Sequence, residues 1–60
     1  MHISLRQIQI FQTVAQTENF TRAAEQLHMT QPAISMQVKQ LEEQTGLALF
    51  ERQGKRIVLT

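Results

Sequence analysis

The stretch "MTQPAISMQVKQLEE", residues 29–43, decides how the rest of the chain is read. Ile34, Val38 and Leu41 recur at i, i+4 and i+7, the spacing of one buried helix face. Thr30 is placed to cap the helix, and Pro32 falls in its first turn, where a missing N–H costs little. On a 100° wheel, Pro32, Ser35, Met36, Lys39 and Glu43 lie opposite the apolar stripe. The first two turns of that face hold no carboxylate; Glu42 and Glu43 come only in the last turn. A solvated helix usually has the reverse bias, acids first and bases last, because of its macrodipole. The pattern suits a helix whose N-terminus meets something negative.

The chain of 60 residues makes at most one small domain. A domain of this size buries only about 60% of its unfolded surface and is marginally stable. Its 42% hydrophobic content is too high for a disordered tail. No apolar run approaches the ~20 residues of a membrane span, and "MHISLRQIQIFQ" (1–12) is too interrupted by Arg6, Gln7 and Gln9 for a signal peptide. Without cysteine there are no disulfides and no thiolate metal sites, and the redox compartment stays open. The net charge of +1 is not that of a strongly basic protein, so placement matters more than the sum. Arg52, Lys55 and Arg56 share residues 52–60 with no acid. Trp and Tyr are absent, and the three Phe read as core, which argues against a stacking platform for single strands.

Working outward, "SLRQ" (4–7) has a capping-box pattern and starts a first helix. Ile8, Phe11 and Ala15 share one side of it, and Ile10 and Val14 widen the apolar arc to about 160°. Either the helix is well buried, or its Ile10/Val14 flank waits for a further segment. Asn19 caps a short second helix whose stripe is Phe20, Ala23, Ala24 and Leu27. "LHMT" (27–30) leaves the short connection of a helix-turn-helix. His28 is its candidate left-handed residue, a structural role preferred to that of a ligand, and Met29 its plug. The third helix spans about 31–45 and Gly46 ends it. Leu47, Leu49 and Phe50 are expected to close the core. "RQGKRIVLT" (52–60) reads as a hairpin around Gln53-Gly54-Lys55, with Ile57 and Leu59 alternating with Arg56, Val58 and Thr60. The fold class is mainly α, a winged helix-turn-helix of three helices and a small β-hairpin.

No enzyme site emerges. His2 and His28 are isolated from any metal-ligand spacing. Adjacent Glu42 and Glu43 diverge by about 100° on a helix and cannot converge as an acid/base pair. Gly46 and Gly54 form no phosphate loop. Double-stranded DNA fits better. Gln31, Ser35 and Gln37 are polar and short enough to approach base edges from a helix seated in the major groove. A helix N-terminus favours phosphate. The basic hairpin adds charge, although a basic turn that is merely solvated has the same composition. The alternative is a helix-turn-helix-shaped protein-interaction module; that would call for an exposed apolar patch on the third helix, where only Met36 is apolar.

The ordered motifs "FTRAAEQL" (20–27), "TQPAIS" (30–35), "QLEEQTG" (40–46) and "LFER" (49–52), followed by "RIVLT" (56–60), resemble the DNA-binding domain of LysR-type transcriptional regulators over nearly the whole chain. The resemblance implies bacterial transcription control from a cytoplasmic, nucleoid-associated protein with no cofactor in this domain. It also implies a linker helix that makes a homodimer or tetramer, and a C-terminal domain for a small-molecule effector. Both would lie outside these 60 residues. By resemblance, Thr30, Gln31, Pro32, Ser35 and Met36 face the major groove, and Lys39, Arg52, Lys55 and Arg56 meet backbone or minor groove. Met36 departs from the family, where arginine is most frequent; methionine cannot contact guanine bidentately, though it can touch a thymine methyl. With that methionine, "SMQVKQLE" (35–42) is similar to the branch that controls RuBisCO and carbon-fixation operons.

Overall fold

The computed structural model describes residues 3–60; His2, read above as an isolated imidazole, lies outside the described residues. Helix α1 (Leu5–Thr17) is followed by α2 (Phe20–Leu27), α3 (Gln31–Thr45) and an antiparallel pair, β1 (Phe50–Gln53) and β2 (Arg56–Leu59). This is the winged helix-turn-helix that the sequence implies.

Each helix starts on the expected cap. Ser4 Oγ accepts from Gln7 N–H at 3.1 Å, while the Gln7 side chain accepts from Ser4 N–H at 2.9 Å, completing a capping box. Asn19 accepts from Arg22 N–H at 2.9 Å, and Thr30 from Ala33 N–H at 3.3 Å. Each helix stops on a left-handed residue: Glu18 (φ 54°), His28 (φ 55°) and Gly46 (φ 72°). His28 therefore has the structural role expected of it. Glu18 is a second non-glycine in that region, and no turn signal in the sequence singles it out.

The core joins Ile10 and Val14 of α1, Ala23 and Ala24 of α2, Ile34 and Val38 of α3, and Ile57 of β2. Phe20, Leu27, Met29 and Phe50 pack against it. Ile10, Val14 and Ile34 are at most 1% exposed, so burial of each is worth about 1.5–3 kcal/mol. This corrects the reading of α1. Ile10 and Val14 are the covered flank; Ile8, at 42% exposure, lies on the open one. The expectation that Leu47 closes the core also fails, since it is 62% exposed. Leu59 is 51% exposed as well. Leu47 falls between Gly46 and β1, outside the elements that pack. Leu59 pairs with Phe50 at the open end of a hairpin that is covered only around Ile57.

The hairpin begins at Phe50, two residues before the sequence reading placed it. Its register pairs Phe50 with Leu59 and Gln53 with Arg56. Gly54 takes φ 61° at the first of the two connecting positions, as a type II′ turn requires.

Beside the packing of Ile57 and the Phe11–Phe50 ring contact, hydrogen bonds hold the hairpin to the helices. Ile57 N–H donates to the Glu18 carbonyl at 3.0 Å. Arg56 Nη2 donates to Glu18 Oε1 at 2.8 Å. Glu42 Oε2, at the end of α3, accepts from Leu49 N–H at 2.8 Å and Phe50 N–H at 3.3 Å. Glu42 is thus a bracket for the start of β1. Its replacement by alanine removes the acceptor of two partly buried amides, which costs about 1–3 kcal/mol for unsatisfied groups. Urea denaturation of Glu42→Ala is expected to show an unfolding free energy lower by that amount, read as a lower midpoint at an unchanged slope; an unchanged midpoint would mean that water replaces the carboxylate without loss.

Candidate nucleic-acid interface

The start of α3 sets the geometry of the polar surface. Thr30 caps it, Gln31 and Pro32 open it, and all three are exposed. Met36 is 60% exposed on the next turn, and Lys39 one turn further is exposed as well. Ser35 and Gln37 are half-buried. The stripe of Ile34, Val38 and Leu41 is turned inward, as its spacing demands. The face left outside carries hydroxyl, amide, thioether and ammonium groups. Its first acid is Glu43, since Glu42 is engaged with β1.

The tertiary structure then brings Arg52 and Lys55 of the hairpin beside the N-termini of α2 and α3. Asn19, Phe20, Thr21, Gln31, Arg52, Lys55 and Ile57 line one open depression of about 200 Å³. Two cations, two helix starts and the hydroxyl of Thr21 face the same space. Positive ends of helix dipoles and fixed cations together favour an anion there. Asn19 enters the sequence reading only as a cap and Thr21 not at all; no spacing rule connects them with Lys55, which lies 34 positions beyond Thr21.

Arg56 does not join this group. Its guanidinium is paired with Glu18, and the two side chains are 68% and 35% exposed. Among the described residues, the basic hairpin therefore presents two cations without a carboxylate partner and one paired with Glu18. Arg56 was expected to serve nucleic acid; its contact in this structure serves the attachment of β2.

A second depression, of about 340 Å³, lies elsewhere. Ile3, Ile8, Phe11, Gln12, Leu41, Thr45 and Leu49 line it, and it is almost wholly apolar. It joins the open flank of α1 to the C-terminal half of α3, whereas the polar depression adjoins the N-terminal half. The apolar patch that a protein-interaction module calls for is thus present, but it does not occupy the outward face of α3. Among the described residues, no group of three or more His, Cys, Asp or Glu side chains is placed to hold a metal ion, and no helix is long and apolar enough to cross a membrane.

Comparison with known proteins places these surfaces in context. Residues 5–60 match the bacterial regulatory helix-turn-helix protein family, lysR. The RuBisCO operon transcriptional regulator of Allochromatium vinosum is 62% identical over 60 residues, covering 100% of this chain and 20% of that protein. The HTH-type transcriptional regulator CfxR of Cupriavidus necator is 62% identical over 58 residues, covering 97% of this chain and 18% of its own. Among solved structures, a CbnR DBD–DNA complex superposes with a TM-score of 0.90 at 40% identity, over 97% of this chain and 67% of that one. The chain spans about a fifth of the length of the curated relatives it matches.

The pairing of Arg56 with Glu18 is directly measurable. Both side chains are solvated, so a double-mutant cycle with Glu18→Gln and Arg56→Gln should return a coupling of about 0.2–1 kcal/mol at low salt, shrinking as salt rises. A coupling of zero at every ionic strength would free Arg56 for the role first expected of it.

Proposed function

The chain belongs to the LysR family of bacterial regulatory helix-turn-helix proteins, and from that membership we propose that it binds double-stranded DNA sequence-specifically as the DNA-binding domain of a transcriptional regulator. The observation that carries this reading is the convergence of Gln31, Arg52 and Lys55 beside two helix N-termini, continuous with the acid-free face of α3. Helix α3 enters the major groove. Thr30, Gln31, Pro32, Ser35 and Met36 face the groove there, with Gln31 offering hydrogen bonds to a base edge, Ser35 short enough to let the helix sit deep, and Met36 offering only apolar contact. Arg52, Lys55 and Lys39 neutralise phosphates, and the start of α2 receives another. The Glu18 carboxylate offsets the charge of Arg56, which therefore contributes less than Lys55.

The parent protein of this reading is about five times longer, given the share of its relatives that the chain covers. A linker helix follows and pairs two copies, and a further domain binds a small-molecule effector. The DNA-binding domain itself needs no cofactor, and the regulator works in the cytoplasm at the nucleoid. The open Ile8/Phe11 flank, with Leu41 and Leu49, is where the linker helix rests; the Ile10/Val14 flank, first considered for that role, is occupied by the core. The name of the 62%-identical Allochromatium vinosum relative, a RuBisCO operon transcriptional regulator, favours a carbon-fixation operon as the target.

Selection of bound duplexes from a random-sequence pool tests the central reading. A reproducible motif is expected, and binding without sequence preference would refute it. On the selected duplex, Gln31→Ala should cost about 1–3 kcal/mol and level the preference at one or two base pairs. Arg52→Ala and Lys55→Ala should instead weaken selected and random duplexes alike, and each should shallow the log–log salt dependence by up to about 0.9. Arg56→Ala should change that slope less; an equal change would restore it to the set of phosphate contacts.

The assembly is tested separately by light scattering on a longer chain that includes the segment after Thr60. It should be a dimer, and Ile8→Asp should shift it toward monomer while leaving the salt slope of a single site unchanged. A dimer indifferent to Ile8→Asp would place the linker helix somewhere else.

A further inference from the structure

Gln31 and Ser35, both facing the groove in the reading above, are hydrogen-bonded to each other. Gln31 Nε2 donates to Ser35 Oγ at 2.6 Å. The two stand at i and i+4 on α3, the spacing at which helical side chains meet. A lone exposed glutamine at a helix start samples many rotamers and offers either end of its amide. Here one N–H is committed to Ser35. What stays free is the second N–H and the lone pairs of Oε1. Gln31 also borders the depression that holds Arg52 and Lys55.

The polarity of the free edge has a chemical consequence. Adenine presents an acceptor, N7, beside a donor, the N6 amino group; guanine presents two acceptors, N7 and O6. A donor and an acceptor side by side match adenine. The reversed amide, with Oε1 accepting from the Ser35 hydroxyl, would leave the two donors of the NH₂ group free and match guanine. A serine at this position therefore does more than keep the helix surface low. We propose that Ser35 is a positioning residue for base readout: by accepting from Nε2 it restrains the Gln31 side chain and leaves free the donor–acceptor edge that matches an adenine. The inference rests on the reading of α3 as the helix in the major groove.

The test uses the duplex selected by the unaltered chain from a random pool, together with its single-base variants, and follows binding by fluorescence anisotropy. Gln31→Ala identifies the base pair that Gln31 reads. At that pair the unaltered chain should prefer adenine. Ser35→Ala should lower the adenine-over-guanine ratio there by roughly 2–10-fold, the range implied by freeing one rotamer-rich side chain. Ser35→Thr, which keeps the hydroxyl, should recover most of the ratio. In a Gln31→Ala background, Ser35→Ala should have no further effect. Circular dichroism of each variant shows whether α3 is intact; if Ser35→Ala disturbs the fold, Ser35→Cys, which weakens the acceptor while nearly keeping the shape, replaces it.

Several results would overturn the proposal. Ser35→Ala that weakens all base variants equally, or that still weakens binding when Gln31 is already alanine, would make Ser35 a DNA contact in its own right. A preferred base other than adenine would refute the assigned polarity. Base selectivity lost in Gln31→Ala but untouched by Ser35→Ala would remove this inference and leave the DNA-binding reading in place. An absence of any base-selective effect in Gln31→Ala would refute both.

Discussion

The rest of the structure depends on the close approach of Ile10, Val14 and Ile34 to the paired alanines of α2. Ala23 and Ala24 are 0% and 4% exposed and carry nothing beyond Cβ. Larger residues there would hold α1 and α3 away, and a core this small has no second layer to compensate. Overpacking a filled interior costs about 1–3 kcal/mol, a large share of what a domain of this size has. The short turn at His28 and Met29 follows from the same constraint. Met29 N–H donates to the Ala24 carbonyl at 2.9 Å, which brings the chain round directly over α2. The angle at which α3 is presented to solvent is therefore set by two residues that take no part in what α3 meets.

Carboxylates are distributed with the same economy. Glu18 and Glu42 both attach the hairpin, one through its carbonyl and side chain, the other through two backbone amides. Neither adds negative charge to the outward face at the start of α3. The hairpin needs this attachment, because an isolated pair of four-residue strands is marginal in water. Its only buried side chain among the described residues is Ile57. Placement of Arg52 and Lys55 next to Gln31 thus rests on the buried Ile57, on Phe50 packed against the core and the Phe11 ring, and on two acids.

Helix α3 serves two surfaces along its length. Gln31 borders the polar depression; Leu41 and Thr45 border the apolar one. In the proposed function these become the DNA side and the assembly side. Fifteen residues of continuous helix carry both. The Gln7–Gln44 side-chain hydrogen bond of 3.0 Å ties the beginning of α1 to the end of α3.

Local chemistry was legible in the sequence because it is local. The caps at Ser4, Asn19 and Thr30, the left-handed His28 and Gly46, and the inward stripe of Ile34, Val38 and Leu41 each depend on residues within one or two turns. The ordered motifs that resemble LysR-type regulators were equally a property of the sequence. Periodicity could not say which flank of α1 would be covered, since Ile8 and Ile10 are both isoleucine and differ only in what α3 and β2 place against them. Composition could count Arg52, Lys55 and Arg56 but not divide them. That division was made by the backbone turn at Glu18, which brings its carboxylate to Arg56 across 38 positions and leaves Arg52 and Lys55 to the start of α3. Contacts between residues so far apart exist only once the core has closed, and only the tertiary structure could decide them.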